Sequence, residues 1–150
     1  MVYNGGIRKD DMKILAADTW FGRCVKERVG WTCEKCGKVY NIPDTQGLHC
    51  SHFVGRGNYS TRFEPLNAFA HCCACHFYFE GNPHIFVAWV KNRLGVDLYE
   101  ILMEKSLNIM AGKEARHELK EIAAHYEAEY NRMLQVRATG VTGRIEFVGY

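Results

Sequence analysis

The chain has 150 residues, 47% of them hydrophobic and 24% charged, with 3 prolines, the profile of one globular domain large enough to bury a core. Its net charge is only +2, too small by itself to indicate nucleic acid, but residues 1–62 carry 10 Lys/Arg against 6 Asp/Glu and residues 63–150 carry 9 against 11. No apolar run approaches the length of a membrane span and no signal-peptide pattern opens the chain, so no membrane partner and a soluble, cytoplasmic protein are expected.

The first predicted element is a helix over residues 9–29. Ile14, Leu15, Trp20, Phe21, Cys24 and Val25 form its apolar stripe, and Lys13, Arg23, Lys26 and Arg28 its cationic face. Gly30 ends it. Residues 31–40 read as a metal knuckle, with Gly37 at the tight turn after a cysteine pair. A strand is expected over 48–54, a turn at Gly55-Arg56-Gly57-Asn58, and a second strand over 59–63. Cys72–Glu80 reads as a short helix closed by Gly81. Asn82-Pro83 opens another, running to Gly95, and Asp97 with Glu100 resembles a capping box that starts a third, ending near Asn108.

The longest predicted helix covers 113–137, with Leu119, Ile122, Ala123, Tyr126, Tyr130, Met133 and Leu134 on one face. That stripe either folds back as core or pairs with a second subunit as a homodimer. The tail over 145–150 is left as a strand or a free end. His71 and His84 are expected at the surface.

Cys33-Glu-Lys-Cys36 and Cys72-Cys-Ala-Cys75 form two CxxC pairs. Two residues between cysteines let one turn present both sulfurs to one ion, and two pairs complete a zinc tetrahedron. In a reducing compartment this spacing indicates a metal and not disulfides. The 35 residues between the pairs then form an insert stapled at both ends by structural zinc. Cys24, Cys50 and Cys73 are left over and read as small buried hydrophobes.

The insert holds residue types suited to phosphodiester hydrolysis: a base for water, ligands for a divalent ion, and a group to orient the base. His52 on a strand suits the base. Asn67, in the loop before a helix, suits the fixing of that imidazole or of the strand turn. His76 and His49 suit a catalytic Mg²⁺ or Mn²⁺, with His76 counted among the catalytic residues. Arg56 and Arg62, together with Arg23, Lys26 and Arg28, suit phosphate contacts.

The spacing His52, Asn67, Cys72-x-x-Cys75-His76 resembles the HNH nucleases. The runs His49-Cys50-Ser51-His52, Arg56-Gly57, Arg62-Phe63-Glu64-Pro65-Leu66-Asn67 and Gly81-Asn82, with Asp18, Phe21, Val25-Lys26, Arg28, Gly30 and Cys33 before them, are similar to the NinG/Rap recombination proteins of lambdoid phages. The resemblance spans roughly residues 15–110. It implies an α+β fold: a small ββα-metal core, about 31–81, stapled by the four cysteines. A helix at about 9–29 precedes it, a helical region at about 83–137 and a tail over 138–150 follow, and all form one domain. It further implies a Mg²⁺- or Mn²⁺-dependent endonuclease of branched DNA, such as Holliday junctions and D-loops, acting in phage recombination in the host cytoplasm. His52 takes the place of the general base, Asn67 of the middle asparagine and His76 of the metal-binding residue. Ser51 stands where many members carry Asp or His. The alternatives are an HNH nuclease of another role, in nicking, restriction or packaging, and a non-catalytic zinc module that binds DNA.

Overall fold

In the computed structural model, which describes residues 13–41 and 46–150, the fold is α+β: six helices around a two-stranded antiparallel sheet. Helix α1 spans Ala16–Arg28. It starts later than expected, since Leu15 is its N-cap and Asp18 accepts the Leu15 N–H at 2.8 Å; residues 9–12 of the predicted helix lie outside the described residues. Gly30 takes a positive φ of 58° and turns the chain out of the helix. Trp31 also has positive φ, at 57°, a conformation that costs a non-glycine residue. Its indole N–H donates to Glu27 at 2.6 Å and its backbone N–H to Lys26 at 2.9 Å, which hold it there.

Strand β1 is Leu48–His52 and strand β2 is Ala68–Cys72, with unbroken register from Leu48 opposite Cys72 to His52 opposite Ala68. The expected strand at 59–63 is instead a series of turns. All five residues of β2 are buried, so it shows no polar alternation, the pattern that marks a half-exposed strand. The outer edge of β2 is covered by the knuckle: Glu34 N–H donates to Ala70 O, and Ala70 N–H donates to the Glu34 carboxylate, both at 2.8 Å. Buried Glu34 also draws in Arg28, Arg93 and Arg144 at 3.8, 2.8 and 3.5 Å.

Helix α2 (Cys73–Gly81) follows β2 directly, and α3 (Pro83–Leu94) begins with proline at its first turn. Helix α4 (Val96–Ser106) is capped by Gly95 at φ 80°, so Asp97 lies inside the first turn, where its charge favours the helix dipole, and is not the cap. The predicted 113–137 helix is two helices, α5 (Ile109–His117) and α6 (Leu119–Ala138), divided at Glu118. Asn108 caps α5 through Ala111 N–H, and α5 has no buried residue. The break leaves α6 free to follow α1 while α5 lies against the 55–60 turn, where Gly112 closely approaches the Ser60 backbone.

The main core joins Phe21, Cys24 and Val25 of α1 to Ile122, Tyr126 and Met133 of α6, with Tyr59 and Phe63. Each such side chain contributes roughly 1.5–3 kcal/mol by leaving water. The α6 stripe is therefore used within the chain. The tail is neither a strand nor a loose end: Ile145 and Phe147 plug this core, and Ile145 N–H donates to Arg28 O at 3.0 Å.

His71 is fully buried, contrary to its expected surface position, while His84 is exposed. Phe69, Phe79, Phe86 and Trp89 surround the His71 ring at centroid distances of 4.9–6.1 Å, and neither ring nitrogen has a hydrogen-bond partner. Burial lowers its pKa to about 3.

Candidate functional site

The four cysteines of the CxxC pairs converge. The sulfurs of Cys33, Cys36, Cys72 and Cys75 all lie within 4.8 Å of one another, a cluster able to hold a metal ion such as zinc. Cys36 and Cys72 sulfurs are 3.8 Å apart, and a tetrahedral ion with metal–sulfur bonds of about 2.3 Å requires an edge of about 3.8 Å. The first pair is shaped by a turn in which Gly37, at φ 77°, donates to Cys33 O and Cys33 N–H donates to Lys38 O. The second pair sits where β2 meets α2. Cys72 is the helix N-cap, its sulfur accepting from Cys75 N–H at 3.4 Å. Burial and the neighbouring cysteines push the Cys75 thiol up, and a bound cation would favour its thiolate. Of the remaining cysteines, Cys24 is buried and Cys50 half-buried, but Cys73 is exposed, on the outer face of α2.

A cleft of about 850 Å³ runs between α1 and the unpaired edge of β1. His49, His52 and His76 all line it, together with Arg23, Lys26 and Arg56. On a regular strand His49 and His52 face opposite sides, and the unbroken register contains no bulge to realign them. The cleft lies along the strand edge, where residues of both faces reach it.

The imidazole of His52 has a defined tautomer. Its Nε2 lies 2.9 Å from Arg62 O, and a carbonyl can only accept, so Nε2 carries the proton and Nδ1 keeps its lone pair. Burial lowers the pKa of His52 to about 4, against a smaller rise from the Arg62 hydrogen bond. The ring is therefore neutral at pH 7 and able to take a proton.

His49 and His76 meet nitrogen to nitrogen, with their Nδ1 atoms 2.9 Å apart. This is a hydrogen-bond distance, and it is also close to the roughly 3 Å between two nitrogens that hold one ion at right angles at about 2.1 Å. On its far side, His76 Nε2 is 3.4 Å from the Glu80 carboxylate one turn later, the kind of outer partner that orients a metal-binding imidazole. Burial lowers the His76 pKa; Glu80 opposes this and His49 adds to it.

Asn67 is fully buried and ties the loop between the strands. Its amide donates to Val54 O at 2.9 Å and Thr61 O at 3.0 Å, and its carbonyl accepts from Val54 N–H at 2.7 Å. Of its two expected roles it takes the second, holding the turn that carries the carbonyl partner of His52.

Two of the five expected phosphate contacts are corrected. Arg62 is fully buried and makes a two-pronged pair with Asp18 at 2.8 and 2.6 Å. Arg28 is also buried, donating to Pro65 O at 3.0 Å and Ala68 O at 2.6 Å. Both tie α1 to the loop ahead of β2, and neither belongs to the cleft surface that Arg23, Lys26 and Arg56 line. Asp18 and Glu34 carry this framework; in the sequence Asp18 stands only as one position of the run before the first cysteine pair. Their partners Arg62, Arg93 and Arg144 lie 44 or more residues away.

Asp18→Ala leaves the buried Arg62 guanidinium without its counter-charge. It is expected to lower the unfolding free energy by about 3–5 kcal/mol. Urea denaturation measures this, and a change below about 1 kcal/mol would show that the pair contributes little.

Among the described residues no helix is long and apolar enough to cross a membrane. No family model, no curated protein and no solved structure matches the chain.

Proposed function

We propose that this protein is a metal-dependent DNA endonuclease of the HNH type. In this reading β1, β2 and α2 form the ββα core, zinc on the four cysteines staples it, and the substrates are branched intermediates of phage recombination. The observation that carries the reading is the state of His52: neutral, with Nε2–H committed to Arg62 O and Nδ1 left to accept, in a cleft with three cations.

His52 Nδ1 takes the proton of the attacking water, and the Arg62 carbonyl keeps the ring in the tautomer that permits it. Asn67 secures the loop that supplies this carbonyl. Arg23, Lys26 and Arg56 draw the phosphodiester backbone into the cleft. His49 and His76 are the residues that would hold Mg²⁺ or Mn²⁺, which when bound neutralises the phosphate and the departing 3′ oxygen. Ser51, a poor metal ligand, is fully buried.

The test is cleavage of a labelled four-way junction and a matched linear duplex, with Mg²⁺, with Mn²⁺ and without added divalent ion. The expected result is cutting only with the ion, and faster on the junction. Equal rates on both substrates would remove the preference for branched DNA. No cutting of either by folded, zinc-loaded protein would remove the nuclease assignment.

A further inference from the structure

Helix α2 turns Cys75 and Phe79 inward. Its outer face is formed by Cys73, Ala74, Phe77, Tyr78, Glu80 and Gly81, and Glu80 is the one charged member. Phe77 is 61% exposed and Tyr78 44%. Large adjacent apolar side chains left in water mark a contact surface. The face borders the cleft: the Phe77 ring lies 6.2 Å from that of His76, with planes only 9° apart. On the knuckle side, the exposed Lys35 ammonium sits 4.7 Å from the Tyr78 ring centre.

We propose that the Phe77–Tyr78 face of α2 is a stacking surface for an unpaired nucleobase of the strand held in the histidine cleft. This rests on the reading of the protein as a DNA nuclease. Aromatic rings stack on any base without regard to sequence, and such platforms work beside cations that track the phosphates. Here Arg23, Lys26 and Arg56 lie in the cleft on one side of His76, and Lys35 stands on the other side of the face. A base paired within a duplex has its faces covered by its neighbours, so the surface favours a strand opened near the scissile bond. The cations that flank the face, Arg23, Lys26 and Arg56 in the cleft and Lys35 at the knuckle, outnumber its one anion, Glu80, and so complement a phosphate backbone.

Stacking and phosphate contacts differ in their response to salt, and this separates them. Affinity of a labelled single-stranded oligonucleotide and of a hairpin duplex is measured by fluorescence anisotropy over a salt series, without divalent ion. The proteins are wild type, Phe77→Ala, Phe77→Leu and Arg23→Ala. Phe77→Ala and Phe77→Leu are each expected to weaken single-strand binding by about ten-fold or more with the salt slope unchanged, and to affect duplex binding little. Arg23→Ala is expected to reduce the slope. Wild-type affinity in Phe77→Ala, or full affinity in Phe77→Leu, would overturn the stacking role while leaving the nuclease reading intact. Loss of self-association in Phe77→Ala on sedimentation, with DNA affinity intact, would assign the face to a second copy instead. Failure of wild type to bind either DNA would overturn both readings together.

Discussion

His52→Ala is expected to lower DNA cleavage by about 10²–10⁴-fold while DNA binding and the fold persist. The side chain is partly buried beside the Phe21 ring, 6.0 Å away, and its hydrogen bond to Arg62 O ends on a loop that Asn67 and the Asp18–Arg62 pair hold independently. The variant therefore tests proton transfer and not folding. Loss of DNA binding in His52→Ala, or retention of the wild-type rate, would remove His52 from the role of base.

The same argument sets a pH dependence. The working form is the neutral imidazole, and burial lowers its pKa from 6.5 to about 4. Activity limited by this group falls only as pH drops through about 4, not near 6.5. A break in kcat/KM near 6.5, absent from a His52 variant, would show that the ring is better solvated than its burial implies. The linked effect on stability has a definite sign. The folded pKa is depressed, so the contribution is complete above pH 6.5 and is lost as pH falls towards 4. His71, lowered to about 3, extends the loss further into acid.

Cys72→Ser is expected to abolish metal binding and the cooperative folding of residues 31–81. Cys72 ends β2, caps α2 and places one sulfur in the cluster. Serine is a good N-cap, so this substitution keeps the capping role and removes the soft ligand. Zinc held by four cysteines contributes roughly 10–16 kcal/mol, which equals or exceeds the whole net stability of a typical domain, about 5–15 kcal/mol. The smaller cluster of Trp31, Leu48 and Ala70 around the cysteines cannot replace it. The α1–α6 core is a separate cluster, joined to this one through Tyr130, and should keep part of its protection. Metal analysis and amide hydrogen exchange read the two halves separately. A zinc-free Cys72→Ser protein with native protection of β1 and β2 would contradict a folding role for the metal.

What the sequence by itself determined was local or strongly spaced. The two CxxC pairs pointed to one cluster, because cysteine spacing and the Gly37 turn leave few other arrangements. The ends of α1 and α3 were legible in Gly30 and Gly95, and strand β1 and helix α2 were placed to within two residues. His52 and His76 were named from their spacing and His49 as a further ligand beside them, and the three line one cleft. Tertiary structure alone decided the rest. Strand β2 is buried on both faces, so its run of Ala, Phe and His carries no period. The 113–137 pattern is continuous as a helix, yet the chain breaks at Glu118, after which α6 packs on α1. Above all, an arginine looks the same in sequence whether it meets a phosphate or a buried carboxylate. Asp18, 44 residues from Arg62, and the carbonyls of Pro65 and Ala68, 37 and 40 residues from Arg28, turn both arginines into framework and leave Arg23, Lys26 and Arg56 to the cleft. Burial and long-range charge pairing are properties of the folded chain, which is why local pattern did not reveal them.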